Sequence, residues 1–268
     1  MSAWVPSEAP LDRPSVARMY DYYLGGYHNF AIDRQAAEKA IAIYPDLPLV
    51  MQVNRAFLRR AVQYLVAQGV TQFLDIGSGI PTVGNVHEVA QAADPAARVV
   101  YVDSDPVAVA HGATILQDNA HAVTIQADAR RPEDILAHPD VRSLLDFTGP
   151  VAVLLVALLH FVIDDAMAAH LVTTLREALA PGSYLVISHA TTESVPVETG
   201  EQMSRLYTTT GTGIKARSRV EIEAFFADFT LVAPGVVYAP LWRPEGPDDL
   251  FLDHPERAIT SAGVGRKP

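Results

Sequence analysis

The stretch FLDIGSGIPTVGNVHE, from Phe73 to Glu88, predicts a buried strand, a glycine loop and then a helix. This order begins many nucleotide sites in parallel α/β proteins. The stretch departs from the dinucleotide-binding pattern at two positions, because Asp75 stands before the first glycine and Thr82 follows Pro81 where a third glycine would be. That third glycine normally brings the helix N-terminus close to a pyrophosphate. The sequence therefore disfavours a pyrophosphate ligand.

Gly77, Ser78 and Gly79 form the predicted turn of this loop, where glycines let a ligand approach bare backbone. The carboxylate of Asp75 suits a cationic ligand beside that turn. S-adenosylmethionine fits this requirement, since it has a sulfonium and an amino group and no phosphate. A glycine pair alone is equally compatible with an ordinary tight turn between a strand and a helix.

Acidic residues also end the next two predicted strands. Asp103 ends the second strand, where a carboxylate accepts both hydrogen bonds of a ribose diol. Asp128 ends the third strand at the same sheet edge, where it is placed to meet an adenine amino group. Asp105 is predicted to cap the helix that follows, and Ser104 and Ala129 complete the predicted cofactor site. Three acids in register favour a nucleoside site over a set of unrelated loop residues.

From residue 70 onward, short apolar runs alternate with helical patterns. Continuous apolar runs predict strands covered on both faces, and hence a doubly wound, Rossmann-like α/β fold with a parallel sheet. The five runs are TQFLDIG, RVVYVDSD, VTIQADA, PVAVLLVALLH and SYLVISHA. Two weaker strands, LVAPGVVYA and ITSAGVGRK, are expected near the C-terminus.

The other segments predict a cap and a lid. Residues 1–69 are helical in pattern, which predicts a helical N-terminal cap beside a main domain of residues 70–268. One of the cap helices is expected to begin at an N-cap residue, Asp33. Residues near 191–218 are polar and rich in threonine and glycine, which predicts a lid-like insertion.

The composition excludes several classes of function. The 268 residues include 31 acidic and 20 basic side chains, a formal net charge of −11, so we expect neither a nucleic-acid nor a membrane partner. The absence of cysteine excludes disulfides and thiolate chemistry. The N-terminus lacks a signal-peptide pattern, and the most apolar run is too short to span a bilayer, which together predict a cytoplasmic protein. The oligomeric state is left open.

Several motifs together resemble a known family. DIGSGIPT, YVDSDP and ADAR look like the class I S-adenosylmethionine-dependent methyltransferase fold. The chain is also similar, from about residue 13 to residue 268, to a mainly actinobacterial S-adenosyl methyltransferase family long catalogued as a domain of unknown function. The stretches that carry this narrower resemblance are ARMYDYYLGGYHNFAIDR, FLDIGSGIPTVGNVHEVAQ and GVGRKP. The resemblance implies a seven-stranded sheet with a helical N-terminal cap, and it implies no particular substrate.

The N-terminal block RMYDYYLGGYHNF allows two interpretations. It is either an amphipathic cap helix that packs tyrosines on the sheet edge or a segment that closes over the cofactor. The resemblance favours the second, in which Arg18 pairs with the methionine carboxylate. The other predicted contacts in the block are a tyrosine ring near the sulfonium, backbone amides of a glycine turn and a nearby amide side chain, from Tyr22, Tyr23, Gly25, Gly26 and Asn29.

Two histidines are candidate catalytic bases. His160 follows the fourth strand, at the edge that faces the transferring methyl group in this fold, and His189 ends the fifth strand. Each is also readily explained as a histidine satisfied by backbone at a strand end. Methyl transfer is an in-line displacement in which positioning can suffice, so a dedicated base is not required. No metal site is predicted, because the HEVAQ stretch at His87 lacks the second histidine of a zinc motif.

Three functions follow from these patterns. The leading one is an S-adenosylmethionine-dependent methyltransferase acting on a small-molecule acceptor. The second is a non-catalytic regulatory protein that binds S-adenosylmethionine. A nicotinamide-dependent oxidoreductase is disfavoured by Thr82 and Asp75.

Overall fold

A mixed, mostly parallel sheet forms the centre of the molecule. The structure, a computed structural model, describes residues 12–81 and 84–268. The strands are β1 Gln72–Ile76, β2 Arg98–Asp103, β3 Ala122–Gln126, β4 Ala152–Val156, β5 Tyr184–Ala190, β6 Thr230–Leu231, β7 Val237–Tyr238 and β8 Thr260–Arg266. Their order is β3-β2-β1-β4-β5-β8-β6, with β7 also paired to β8. The first five are parallel and β8 runs antiparallel to β5, which confirms the predicted doubly wound fold.

Helices cover both faces of the sheet and its carboxyl edge. They are α1 Val16–Tyr23, α2 Ala31–Ile43, α3 Leu47–Ala67, α4 Val86–Ala93, α5 Pro106–Ile115, α6 Pro132–Ala137, α7 Pro139–Leu144, α8 Asp165–Ala178, α9 Val197–Thr208 and α10 Arg219–Ala224. A short 3₁₀ turn, Leu159–Phe161, follows β4. Among the described helices, none is long and apolar enough to cross a bilayer.

The two faces of β1 show why its neighbouring residues Phe73 and Leu74 are both apolar. Phe73 packs in a core layer with Phe57 of α3 and Trp242. The next residue, Leu74, packs in the opposite layer with Leu171 of α8. Successive side chains of a strand point to opposite faces, so a strand between two helical layers needs apolar residues on both faces.

The weak strand predicted at LVAPGVVYA is divided in two. β6 pairs with Gly265 and Arg266 of β8, and β7 pairs with Ser261 and Ala262. Between them lies Pro234, which has no backbone N–H to donate to a ladder. The sheet therefore has eight strands rather than the expected seven, with β6 and β7 sharing one edge of β8.

The N-terminal helices occupy two different places. α3 contributes Phe57 and Leu65 to the core of the sheet. α1 and α2 instead form a separate apolar cluster with the insertion helix α9, which includes Met19, Ala37 and Tyr207. The predicted domain boundary at residue 69 stays a prediction.

The start predicted for α2 is wrong. Phe30 is the residue before its first turn, and Asp33 lies at the third helical position. The Asp33 side chain still serves the helix end, because it accepts the N–H of Phe30 at 2.8 Å. α1 ends as expected before Gly25, which adopts a φ of +78°.

Candidate functional site

A cavity of about 250 Å³ lies at the carboxyl ends of β1, β2 and β4. In an open parallel sheet this edge is where ligands bind, next to the point at which the strand order reverses. The start of α1 and the loop after α9 contribute to its wall. The predicted residues that line it are Arg18, Asp75, Gly77, Ser78, Gly79, Asp103, Ser104, Asp128 and Ala129.

The glycine loop is a tight turn held against β2. The N–H groups of Gly77 and Ser78 donate to the carbonyl oxygen of Val102 at 2.8 and 3.1 Å. Gly77 and Gly79 have φ values of +73° and +67°, which L side chains rarely adopt. A Cβ on Gly77 would lie 2.6 Å from Cδ1 of Leu158, whereas a Cβ on Gly79 would meet nothing within 4 Å. The loop therefore packs closely on one side and leaves backbone open on the other. Thr82 lies outside the described residues.

Asp75 brings a buried carboxylate to the cavity. The residue is 5% exposed. Burial raises its pKa to about 7, the positive charge of Arg55 opposes the rise, and the charge of Asp103 adds to it. Its ionised form is thus poorly solvated by the protein, and a cationic ligand would stabilise it.

Asp103 is fixed beside the glycine loop. One carboxylate oxygen accepts the N–H of Gly79 at 2.7 Å, and the other accepts the N–H of Asp105 at 2.8 Å. Burial raises the pKa of Asp103 to about 6, although these backbone N–H groups lower it. A carboxylate has about four acceptor positions, so Asp103 keeps capacity for further hydrogen bonds. Asp105 caps α5 as predicted, accepting the N–H of Val107 at 2.8 Å.

Asp128 pairs with a residue that the sequence reasoning missed. Arg130 contacts both carboxylate oxygens of Asp128, with its closest nitrogen at 2.6 Å. This hydrogen bonding lowers the pKa of Asp128, so its carboxylate is charged at the cavity wall. The arginine two positions after the acid in QADAR was the available sequence signal.

Arg18 reaches the cavity wall from α1 with its guanidinium held by carboxylates. Its Nε donates to Asp33 at 2.9 Å and its Nη1 donates to Asp105 at 3.2 Å. Its Nη2 also donates to the carbonyl oxygen of Arg13 at 3.1 Å. Ser15 binds the same two acids, since its N–H donates to Asp33 at 2.9 Å and its hydroxyl donates to Asp105. This network ties α1 to the strand end that carries Asp103.

Comparison with known proteins agrees with this geometry. A family model described as S-adenosyl methyltransferase matches residues 2–268. The chain belongs to the S-adenosyl methyltransferase family. The predicted family, the enzyme class and S-adenosylmethionine as cofactor are thereby confirmed.

Two solved structures are similar to this methyltransferase over nearly their whole lengths. A candidate methyltransferase from Thermobifida fusca is 43% identical with a TM-score of 0.92, and the match covers 99% of each chain. A DUF574 family protein from Streptomyces avermitilis is 38% identical with a TM-score of 0.89, covering 96% of this chain and 98% of that chain. No curated protein gives a significant match.

Five predicted cofactor contacts of the methyltransferase's N-terminal block lie outside the cavity wall: Tyr22, Tyr23, Gly25, Gly26 and Asn29. The Tyr22 hydroxyl donates to Glu38, and the Tyr23 hydroxyl lies 3.2 Å from that of Tyr207. The Asn29 amide donates to Asp21 at 2.8 Å, and the turn at Gly26 packs on the same carboxylate. The contacts of Tyr22, Tyr23 and Asn29 thus lie within the cap and its neighbour α9, and the role of these five residues as cofactor contacts stays a prediction.

Tyr20 is the tyrosine of the block that does line the cavity. Its hydroxyl accepts the amide of Asn54 at 2.9 Å, and burial raises its pKa. Asn54 in turn accepts the Ser188 hydroxyl at 2.6 Å, and Ser188 Oγ accepts the N–H of Ala157 at 2.9 Å. Ala157 lines the cavity at the end of β4 with a φ of +56°, a strained value for a non-glycine residue. The chain of hydrogen bonds supports this conformation from α1, α3 and β5.

The predicted catalytic histidines are buried beside the cavity and do not line it. His160 Nδ1 accepts the N–H of Ala190 at 3.3 Å, and burial holds its pKa well below the usual value. His189 Nε2 lies 2.9 Å from Arg217, which can only donate, so Nε2 is the acceptor. Burial lowers the pKa of His189 to about 4. Their lowered pKa values favour the neutral form of both rings, and their roles as bases stay predictions.

The sequence reasoning missed the residues of the cavity wall that come from other elements. α3 supplies Asn54, Arg55 and Leu58, and the signal was a polar residue on the apolar face of an amphipathic helix. Others follow β4, precede α1 or follow α9 in the predicted insertion, and they include Leu158, Phe161, Val162, Arg13, Thr210 and Thr212.

Proposed function

We propose that this methyltransferase transfers the methyl group of S-adenosylmethionine to a small-molecule acceptor. The observation that carries the proposal is the division of the cavity wall. Acids and glycines at the ends of β1, β2 and β3 form one part, and apolar side chains with two threonines form another.

The first part suits the cofactor chemically. Asp103 would accept hydrogen bonds from the ribose diol, and Asp128 would face the adenine amino group. Asp75 offers a buried anion toward the cationic end, and the open space at Gly79 leaves backbone accessible. When bound, the cofactor supplies a methyl group made electrophilic by its sulfonium.

The second part suits a small acceptor. Phe161 and Val162 come from the turn after β4, and Thr210 and Thr212 come from the loop after α9. A cavity of about 250 Å³ bounded by these side chains and by the start of α1 favours a small acceptor over a macromolecular one. Phe161 and Val162 would exclude water from the reaction, and the two threonine hydroxyls would orient polar groups of the acceptor. Positioning of this kind is enough for an in-line displacement.

Two measurements test the proposal. Calorimetry should detect binding of S-adenosylhomocysteine and none of NAD. A low-molecular-mass cell extract incubated with enzyme and S-adenosylmethionine should then release S-adenosylhomocysteine, whereas the macromolecular fraction should not. Release from the macromolecular fraction alone would overturn the small-molecule acceptor, and tight NAD binding without S-adenosylhomocysteine binding would overturn the cofactor site.

A further inference from the structure

Arg55 reaches the cavity from the sheet-side helix α3. In the chain it follows Asn54, which is 3% exposed, and it precedes Phe57 and Leu58, which pack in the core. Its Nη2 donates to the carbonyl oxygen of Gly84 at 3.1 Å and to Oδ1 of Asn85 at 3.4 Å. Both oxygens are neutral, and both belong to the segment that follows the glycine loop. These two contacts hold the guanidinium at that segment.

The charge of Arg55 acts on two groups of the cavity wall. It lowers the pKa of Asp75 and that of Tyr20, in each case against the larger effect of burial. Arg55 therefore places positive charge on the side of the cavity where β1 ends, next to the buried acid. A ligand group that meets Asp75 and Arg55 together encounters opposite charges side by side.

Two other arginines of the wall, Arg18 and Arg130, lie at other positions in it. Arg18 is fully buried and contacts the carboxylates of Asp33 and Asp105. Arg130 binds both oxygens of Asp128 at the nucleoside end. Arg18 is thereby fixed beside the cap of α5 and Arg130 at the end of β3, whereas Arg55 lies beside the glycine loop and acts on Asp75 at the end of β1.

We propose that Arg55 binds the carboxylate of the cofactor's methionine moiety, in place of the Arg18 contact expected from the sequence. This inference rests on the proposed cofactor site. The methionine moiety is a zwitterion, and a neighbouring cation and anion on the protein match its carboxylate and its ammonium. A guanidinium is suited to this contact, because its planar N–H groups pair with both oxygens of a carboxylate.

The test compares two ligands that differ in that carboxylate. S-adenosylhomocysteine carries it, whereas S-adenosyl-3-thiopropylamine keeps the nucleoside, the thioether and the amino group without it. The variant Arg55→Met removes the charge and keeps much of the side-chain length. The matched control is Arg59→Met on the same helix, because the Arg59 side chain is 44% exposed, contacts Glu245 and is outside the cavity wall.

Arg55→Met should weaken S-adenosylhomocysteine roughly ten- to a hundred-fold in calorimetry, the loss expected for one charge-assisted contact. It should change the affinity for the amine less than about two-fold, so the wild-type preference for the carboxylate disappears. Arg59→Met should preserve both affinities.

Two results would overturn the inference. One is an unchanged affinity of Arg55→Met for S-adenosylhomocysteine, and the other is an equal loss for both ligands. If Arg55→Met does not fold, Arg55→Gln, which keeps a donor for the Gly84 carbonyl, is tested instead. Its affinities for the two ligands are then compared with those of the wild type in the same way. Failure of the wild type to bind S-adenosylhomocysteine would instead reject the cofactor site itself.

Discussion

Replacing Arg18 with alanine should damage the fold of the cap and the cofactor site together. The guanidinium contacts Asp33 at 2.9 Å and Asp105 at 3.2 Å, and the two acid side chains are 0% and 8% exposed. Removing one partner of a buried ion pair costs about 3–5 kcal/mol, because the remaining charge stays buried without compensation. Here two carboxylates lose the same cation, so we expect a loss in the free energy of unfolding of at least about 3 kcal/mol.

The same change should weaken every ligand that contacts the ribose site. Asp105 donates its N–H to Asp103 at 2.8 Å, so a displaced Asp105 alters the carboxylate predicted to hold the ribose. Adenosine and S-adenosylhomocysteine should therefore lose affinity by similar factors. Urea unfolding gives the stability loss, and calorimetry with the two ligands gives the affinity ratio.

Arg130→Ala is the matched control, since Arg130 also lines the cavity and pairs with an acid. Its side chain is 55% exposed and that of Asp128 is 34% exposed, so the stability change should stay within about 1 kcal/mol. The reasoning is refuted if Arg18→Ala retains wild-type stability and adenosine affinity while losing only S-adenosylhomocysteine. That pattern would assign Arg18 to the methionine carboxylate.

Two further predictions concern titratable groups. Asp75→Asn should raise the free energy of unfolding at pH 8 by up to roughly 4 kcal/mol, because burial raises the folded-state pKa from 3.8 to about 7 and the wild type loses this stability as pH rises between those values. Urea unfolding at pH 5 and pH 8 should show an advantage of the variant that grows with pH, and a constant difference would contradict the buried acid. His160→Gln should leave S-adenosylhomocysteine affinity within about two-fold and turnover on an acceptor within about ten-fold, since its ring is outside the cavity wall. A kcat loss of about a hundred-fold or more at unchanged affinity would instead support His160 as a base.

The acids that line the cavity could be placed at one sheet edge from the sequence, because parallel strands impose a register. Asp75 and Tyr101 are paired positions on β1 and β2, and Asp103 pairs with Gln126 at the end of β3. The carboxyl ends of these strands meet at one edge of the sheet. Residues that end the predicted strands are therefore also expected at the edge of the site. The glycine loop was predictable for the same reason, as it connects β1 to the helix that follows.

The cap was harder to predict, because helical periodicity fixes neighbours along a helix but not what the helix packs against. Tyr20 and Tyr23 are three residues apart, yet Tyr20 lines the cavity and Tyr23 packs in the α1–α2–α9 cluster. α1 has only 8 residues and is covered on several sides, so adjacent positions around it meet different partners. A polar residue on the apolar face of α3 was a signal for Asn54 and Arg55, but the cavity that they reach depends on how α3 lies on the sheet.

The surroundings of Arg18 and His189 have one physical cause. A polar side chain that is buried must find a partner, and the protein itself usually provides it. Arg18 finds two carboxylates, and His189 finds Arg217 and the carbonyl oxygen of Ala190. Asp75 differs from both. It lines the cavity, and burial is the largest influence on its pKa, which it raises. A charge that the protein stabilises poorly can be stabilised by a ligand of opposite charge, whereas a charge already paired gains little from one. Polar residues near a strand end thus identify the edge of the site, and the balance of charge around each one distinguishes ligand contacts from supports of the fold.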